Sequence, residues 1–147
     1  MKNKIALITG ATSGIGKACA LTLAKMGFDI IGTGRRADRL EELAKELDSK
    51  VRFLPLVFDV REREKVGEIL GTLPADWSAI DVLINNAGNA HGMDPIQTGS
   101  LDDWDAMMDI NVKGLLYVSK AIIPGMTERN SGMIINIGSI AGKEVYP

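Results

Sequence analysis

The chain has 147 residues, with 17 Lys and Arg against 19 Asp and Glu, a formal net charge of -2. One ordinary domain fits in this length, and the balanced charge excludes bulk attraction to nucleic acid. A chain of this size buries roughly two-thirds of the surface its unfolded form exposes, and the single Cys19 forms no internal disulfide, so a plain apolar core must hold the fold.

After Met1-Lys2-Asn3-Lys4 come only four apolar residues, Ile5 to Ile8, too short a run for a signal peptide or a membrane span. A cytoplasmic protein with no membrane partner is expected. Short apolar runs then alternate with segments of helical period, the pattern of a parallel sheet covered by helices on both faces. Strands are predicted at Lys4–Thr9, Asp29–Gly34, Val51–Phe58, Val82–Asn85 and Gly132–Gly138. Helices are predicted at Gly14–Met26, Ala37–Leu47 and Arg61–Thr72, with a long helical stretch from Ser100 to Arg129. Leu40, Leu43, Ala44 and Leu47 recur at helical spacing and form one apolar stripe on a charged helix. Ser100, followed by Asp102 and Asp103, reads as a capped helix start, and Pro124 is expected to kink or break the long stretch. No repeat, low-complexity tract or linker divides the chain, so residues 1–147 read as one unit.

Directly after the first strand, Thr9-Gly10-Ala11-Thr12-Ser13-Gly14-Ile15-Gly16 opens the first helix. Such a turn lets backbone N–H groups approach a pyrophosphate while the helix N-terminus adds partial positive charge; the same glycines also serve simply to reverse a chain. Thr12 and Ser13 offer hydroxyls toward the phosphates. The spacing Gly10-x-x-x-Gly14-x-Gly16 departs from G-x-G-x-x-G and resembles the short-chain dehydrogenase/reductase family. Asp59-Val60 resembles that family's adenine-contacting pair, and Asn85-Asn86-Ala87-Gly88 its Asn-Asn-Ala-Gly motif. Asn111 and Ser139 match two of its four catalytic positions. The resemblance runs from Thr9 to Ser139 and implies a Rossmann-like, doubly wound sheet of order 3-2-1-4-5 with a nicotinamide dinucleotide held by Gly10, Thr12, Ser13, Gly14, Ile15, Gly16, Asp59, Val60, Asn86, Ala87 and Gly88.

At the end of the second strand, a carboxylate suits the 2′-hydroxyl of NAD and an Arg the 2′-phosphate of NADP. Ile30 to Ala37 contains no acid and carries Arg35-Arg36, which points to NADP(H) by about one to three decades in affinity. The alternative, that the pair merely solvates the next helix, is weakened because cations are poorly placed at a helix N-terminus.

The resemblance further implies that hydride passes between nicotinamide and a small hydroxy or keto compound while a Tyr, tuned by a Lys four residues on, moves the proton. Ser139 would bond the reacting oxygen, and Asn111 would anchor a relay water. Tyr146 stands too close to Ser139 to be that Tyr and is followed by Pro147. The Tyr and Lys are therefore expected beyond this sequence, which reads as an N-terminal part that does not turn over substrate alone. A bare apolar edge at Met133–Ile137 agrees with that expectation. A non-catalytic dinucleotide sensor remains the alternative. The loop around His91, with Met126–Asn130 and Asn136–Ser139, resembles the NADP-dependent 3-hydroxy acid (serine-type) dehydrogenase branch, and His91 is either a pocket residue or simply solvated. No metal site is expected for want of clustered ligands. Met107, Met108, Leu115, Leu116, Val118 and Met126 implicate two faces of the long helical stretch, one for the core and one for a homo-oligomer, dimer or tetramer. Cys19 reads as a small packed side chain, and Trp77 and Trp104 as packing anchors.

Overall fold

A computed structural model describes residues 3–92 and 94–144. Five parallel strands form one sheet in the order β3-β2-β1-β4-β5: β1 (Ile5–Ile8), β2 (Asp29–Gly34), β3 (Phe53–Val57), β4 (Ile80–Asn85) and β5 (Met133–Asn136). The predicted order is the observed one. Helices α1 (Gly14–Lys25) and α2 (Ala37–Glu46) cover one face, and α3 (Arg63–Gly71) and α5 (Leu115–Glu128) the other. Two apolar clusters follow from this layering: Ala6, Ile8, Ile30 and Leu43 under α1 and α2, and Leu7, Ile31, Val66, Leu83 and Val118 under α3 and α5. Alternate residues of the same strands thus feed opposite faces, which is why β1 is apolar at every position.

The strands run shorter than their apolar segments at the sheet edges. β3 keeps only Phe53–Val57, an edge where Pro55, lacking an N–H, is tolerated. β4 starts earlier than predicted, at Ile80, because Asp81 interrupts its register with β1 and its carboxylate accepts the Ile5 N–H at 2.8 Å in place of a backbone carbonyl.

The long helical stretch departs from expectation in where it breaks. Pro124 lies inside α5, on an exposed part of the helix, and does not end it; the Lys120 carbonyl opposite it belongs to an exposed residue and can be hydrated. The irregularity falls instead at Asp109–Gly114, a π-helical turn between α4 (Leu101–Met108) and α5. Gly114 sets that turn against β3's end: a Cβ there would sit 2.6 Å from Val60 Cγ2. The capped start is as read, with Ser100 Oγ accepting the Asp103 N–H at 3.3 Å. Trp77 is buried and carries the Arg52 guanidinium over its ring, 4.5 Å from the centroid, while Cys19 is half-buried. Among the described residues, no helix is long and apolar enough to cross a membrane.

Candidate dinucleotide site

The C-terminal ends of the five strands open into one cleft of about 820 Å³, at the point where the chain reverses direction between β1 and β4. The glycine turn follows β1, Arg35 and Arg36 follow β2, Asp59 and Val60 follow β3, Asn86 to Gly88 follow β4, and Ser139 follows β5. Every residue singled out for the site lines this cleft except Gly16, which is buried behind the turn and shapes it.

Hydrogen bonds from the ends of β1 and β4 hold the turn open. Thr9 Oγ1 accepts the N–H groups of both Asn86 and Ala87 at 3.0 Å, and Asn86 Nδ2 donates to the carbonyls of Thr9 at 3.0 Å and Gly10 at 3.1 Å. Gly16 packs so tightly on Gly10 O and Asn86 Nδ2 that any Cβ would collide with both. Gly14 serves differently: its φ of +52° suits glycine, and nothing stands within 4 Å of where a Cβ would be, so the start of α1 faces the cleft bare. Ser13 caps α1 with no side-chain bond of its own, leaving its hydroxyl for a ligand.

Arg35 is exposed, and its Nη1 lies 3.9 Å from Asp59 Oδ2; Arg36 is the N-cap residue of α2, and its side chain has no acceptor among the described residues. Asp59 is bound by Arg61, a residue the sequence reading did not select. Burial raises the Asp59 pKa, but hydrogen bonds from the Arg61 side chain and backbone, its charge and that of Arg35 outweigh this and hold the carboxyl below the usual range. The local signal was present: an Arg two residues after an Asp at a strand end suits an Asx-type turn, and the Arg61 N–H does donate to Asp59 Oδ1 at 3.0 Å.

At the other end, Asn111 sits in the π-helical turn, where both sides of its amide are engaged: Oδ1 accepts the Asn89 N–H at 2.9 Å and Nδ2 donates to Asn89 O at 2.7 Å. One amide hydrogen and one lone pair remain for a water. Ser139 Oγ accepts the Ala141 N–H at 3.1 Å, so its own proton is left to donate. His91 does not line the cleft; it is exposed and bonded at 2.8 Å to Asn89 Nδ2. Tyr146 lies outside the described residues.

Asn85 and Asn136, quoted within their motifs but given no role of their own, also line the cleft. Asn85, buried, donates to Asn136 Oδ1 and Ser119 Oγ, each at 2.9 Å, tying β4 to β5 and α5. Asn85 Oδ1 and the Thr33 hydroxyl in the cleft wall have no partner among the described residues. Both Asn85 and Asn136 were visible as polar residues ending apolar strands, which is the signal for a site at a strand's C-terminal end.

The parallel order, the bare helix start and the strand-end cleft together define a doubly wound domain of the Rossmann type. A model of the short chain dehydrogenase family matches residues 4–147. The chain belongs to the short-chain dehydrogenase/reductase family. It is 49% identical over 142 residues to an NADP-dependent 3-hydroxy acid dehydrogenase of Shigella flexneri, covering 97% of this chain and 56% of that protein. It is 45% identical over 144 residues to a sulfoacetaldehyde reductase of Chromohalobacter salexigens, covering 97% of this chain and 57% of that one. The closed form of a serine dehydrogenase complexed with NADP+ superposes with a TM-score of 0.89 at 48% identity, over 97% of this chain and 56% of that chain. The chain thus spans a little over half the length of the curated relatives it matches.

Proposed function

We propose that this chain binds NADP(H) and forms part of an oxidoreductase that passes hydride between the nicotinamide and a small hydroxy or keto compound. The observation that supports this best is the continuity of one cleft, with Arg35 and Arg36 at one end and Ser139 and Asn111 at the other. The residues fit a dinucleotide. Gly14 leaves the helix start bare for the pyrophosphate, Thr12 and Ser13 line the same turn, and the two guanidiniums stand ready for a 2′-phosphate. Val60, Ala87 and Ile15 give the cleft apolar walls.

When bound, the dinucleotide supplies or accepts the hydride. The protein's part is to orient and to handle charge. Ser139 donates its free hydroxyl proton to the reacting oxygen, stabilising negative charge that grows there. Asn111 pins the loop at Asn89 and retains capacity to hold a water. The proton-moving Tyr and its Lys, which the family resemblance implies, are assigned to no described residue.

A 3-hydroxy acid is the substrate class we favour, since the named activities of the two curated relatives both concern small molecules pairing a hydroxy or oxo group with an acid group. We place a self-association surface on the face of α4 and α5 where Met108, Val112, Leu116 and Ile123 are exposed.

The test is a thermal melt with each reduced dinucleotide at equal concentration. NADPH is expected to raise the melting temperature more than NADH, since a ligand at 100 times its Kd adds about 2.7 kcal/mol. Equal shifts would remove the role given to Arg35 and Arg36; no shift with either would overturn the reading.

A further inference from the structure

The adenosine end of the cleft contains an arrangement of charge that two free arginines alone do not explain. The Asp59 side chain is only 16% exposed, and its oxygens are filled by Arg61: Nε donates to Oδ1 at 3.0 Å and to Oδ2 at 3.1 Å, Nη2 to Oδ2 at 2.7 Å, and the backbone N–H to Oδ1 at 3.0 Å. Arg61 thus brings three N–H hydrogens, the Nε one shared between both oxygens, to a carboxylate with about four lone-pair positions, so both oxygens are engaged. Arg35, whose side chain is 63% exposed, approaches the same Oδ2 at 3.9 Å, within range of an ion pair but beyond a hydrogen bond. Asp59 thus stands between two guanidiniums, one bonded and one held off.

Arg61 also precedes α3, where a cation opposes the helix dipole, so helix electrostatics do not account for it. Its fork on Asp59 does. We propose that Arg61 determines cofactor specificity as a positioning residue: by engaging both Asp59 oxygens and offsetting the carboxylate's charge, it leaves Arg35 at ion-pair distance without a hydrogen bond, so that Arg35 and Arg36 can turn to a 2′-phosphate. This rests on the NADP(H) reading above.

Without Arg61, a half-desolvated carboxylate would be left beside Arg35, the nearest remaining cation. Closing a gap of 3.9 Å would give it a bonded partner and withdraw Arg35 from the ligand. The same uncompensated charge would repel a phosphate. Both effects weaken a ligand that carries a 2′-phosphate and leave one without it nearly unaffected.

The experiment titrates the full chain calorimetrically with adenosine 2′,5′-bisphosphate and with 5′-AMP. The readout is the ratio of the two dissociation constants, in which any contact to the shared adenine cancels. The wild-type chain is expected to prefer the bisphosphate. Arg61→Gln should lower that preference about tenfold, the scale of one charge-assisted hydrogen bond. The double variant Asp59→Asn with Arg61→Gln should restore the ratio to within about threefold of wild type, because the carboxylate that captures Arg35 is gone. Arg61→Lys, which keeps the charge without the fork, should fall between. An unchanged ratio in Arg61→Gln, or a double variant as impaired as the single, overturns the inference while leaving the NADP(H) reading intact. A wild-type chain that binds both nucleotides equally overturns that reading, and the inference with it.

Discussion

The two edges of the sheet are built by opposite means. At the β3 edge, Asp29 begins β2 with its side chain 3% exposed, and Arg52, just ahead of β3, grips it with Nε at 2.8 Å and backbone N–H at 2.9 Å. Asn3 adds a bond at 3.1 Å, Asp76 binds the same guanidinium, and Trp77 stacks beneath it. At the β5 edge all four strand residues are exposed, three of them apolar, and an apolar groove of about 680 Å³ runs beside them between Cys19, Leu23 and Phe28 of the α1 side and Met133 and Ile135. One edge is locked by charge and stacking inside the described chain; the other presents unpaired backbone and apolar side chains. Local stability should therefore fall from the first edge to the second.

The largest effect belongs to Arg52→Ala, which strands a buried carboxylate and removes the cover from Trp77. We expect a loss of stability greater than for the substitutions below, read by urea or thermal unfolding. The same pair contributes to acid stability. Burial raises the Asp29 pKa, but bonds from the Arg52 backbone, Asn3 and the Arg52 side chain outweigh it, so the folded value lies below the usual carboxylate range. The stabilisation is fully present above the unfolded value of about 3.9 and is lost as pH falls through the lower folded one. Asn in place of Asp29 should flatten that acid decline. An unaltered profile would show that the lock contributes nothing to acid stability.

Between the edges, Thr9 links β1 to β4, and Thr9→Val leaves the Asn86 and Ala87 N–H groups without their acceptor. A cost of about 1–2 kcal/mol is expected, with weaker NADPH binding as the glycine turn loosens. Unchanged binding in a destabilised variant would mean that the turn keeps its shape without this support.

What the sequence made legible follows from how far apart the interacting residues stand. The glycine turn, the Asn-Asn-Ala-Gly segment, Ser139 and the strand order were readable because each strand end carries its own contiguous signature, and all of these reach one cleft. The Asp29 and Arg52 lock was not, since its partners are 23 residues apart and meet only through the β2–β3 register. The π-helical turn was hidden for a related reason. Asn111 and Gly114 answer to Asn89 and Val60, so tertiary contacts rather than local propensity place the irregularity, and Pro124, the strongest local breaker, stays within a continuous helix. Arg61 is the exception: its partner Asp59 is two residues away, so that pair is local in the sequence.

The smallest effect is expected at the β5 edge. Ile135 is 39% exposed, against 0% for Ile31 in β2 near the opposite edge, so Ile135→Lys removes little buried area and can extend its ammonium to water along an apolar stem. Stability should change by about 0.5 kcal/mol or less, as for surface substitutions generally. A charge on an unpaired strand also opposes pairing with another strand, so light scattering of the concentrated variant should fall below that of the wild type. A large loss of stability from Ile135→Lys would mean that β5 is buried in solution, by another copy of the chain or by another segment, and the contrast between the edges would then belong to the isolated chain rather than to the assembled protein.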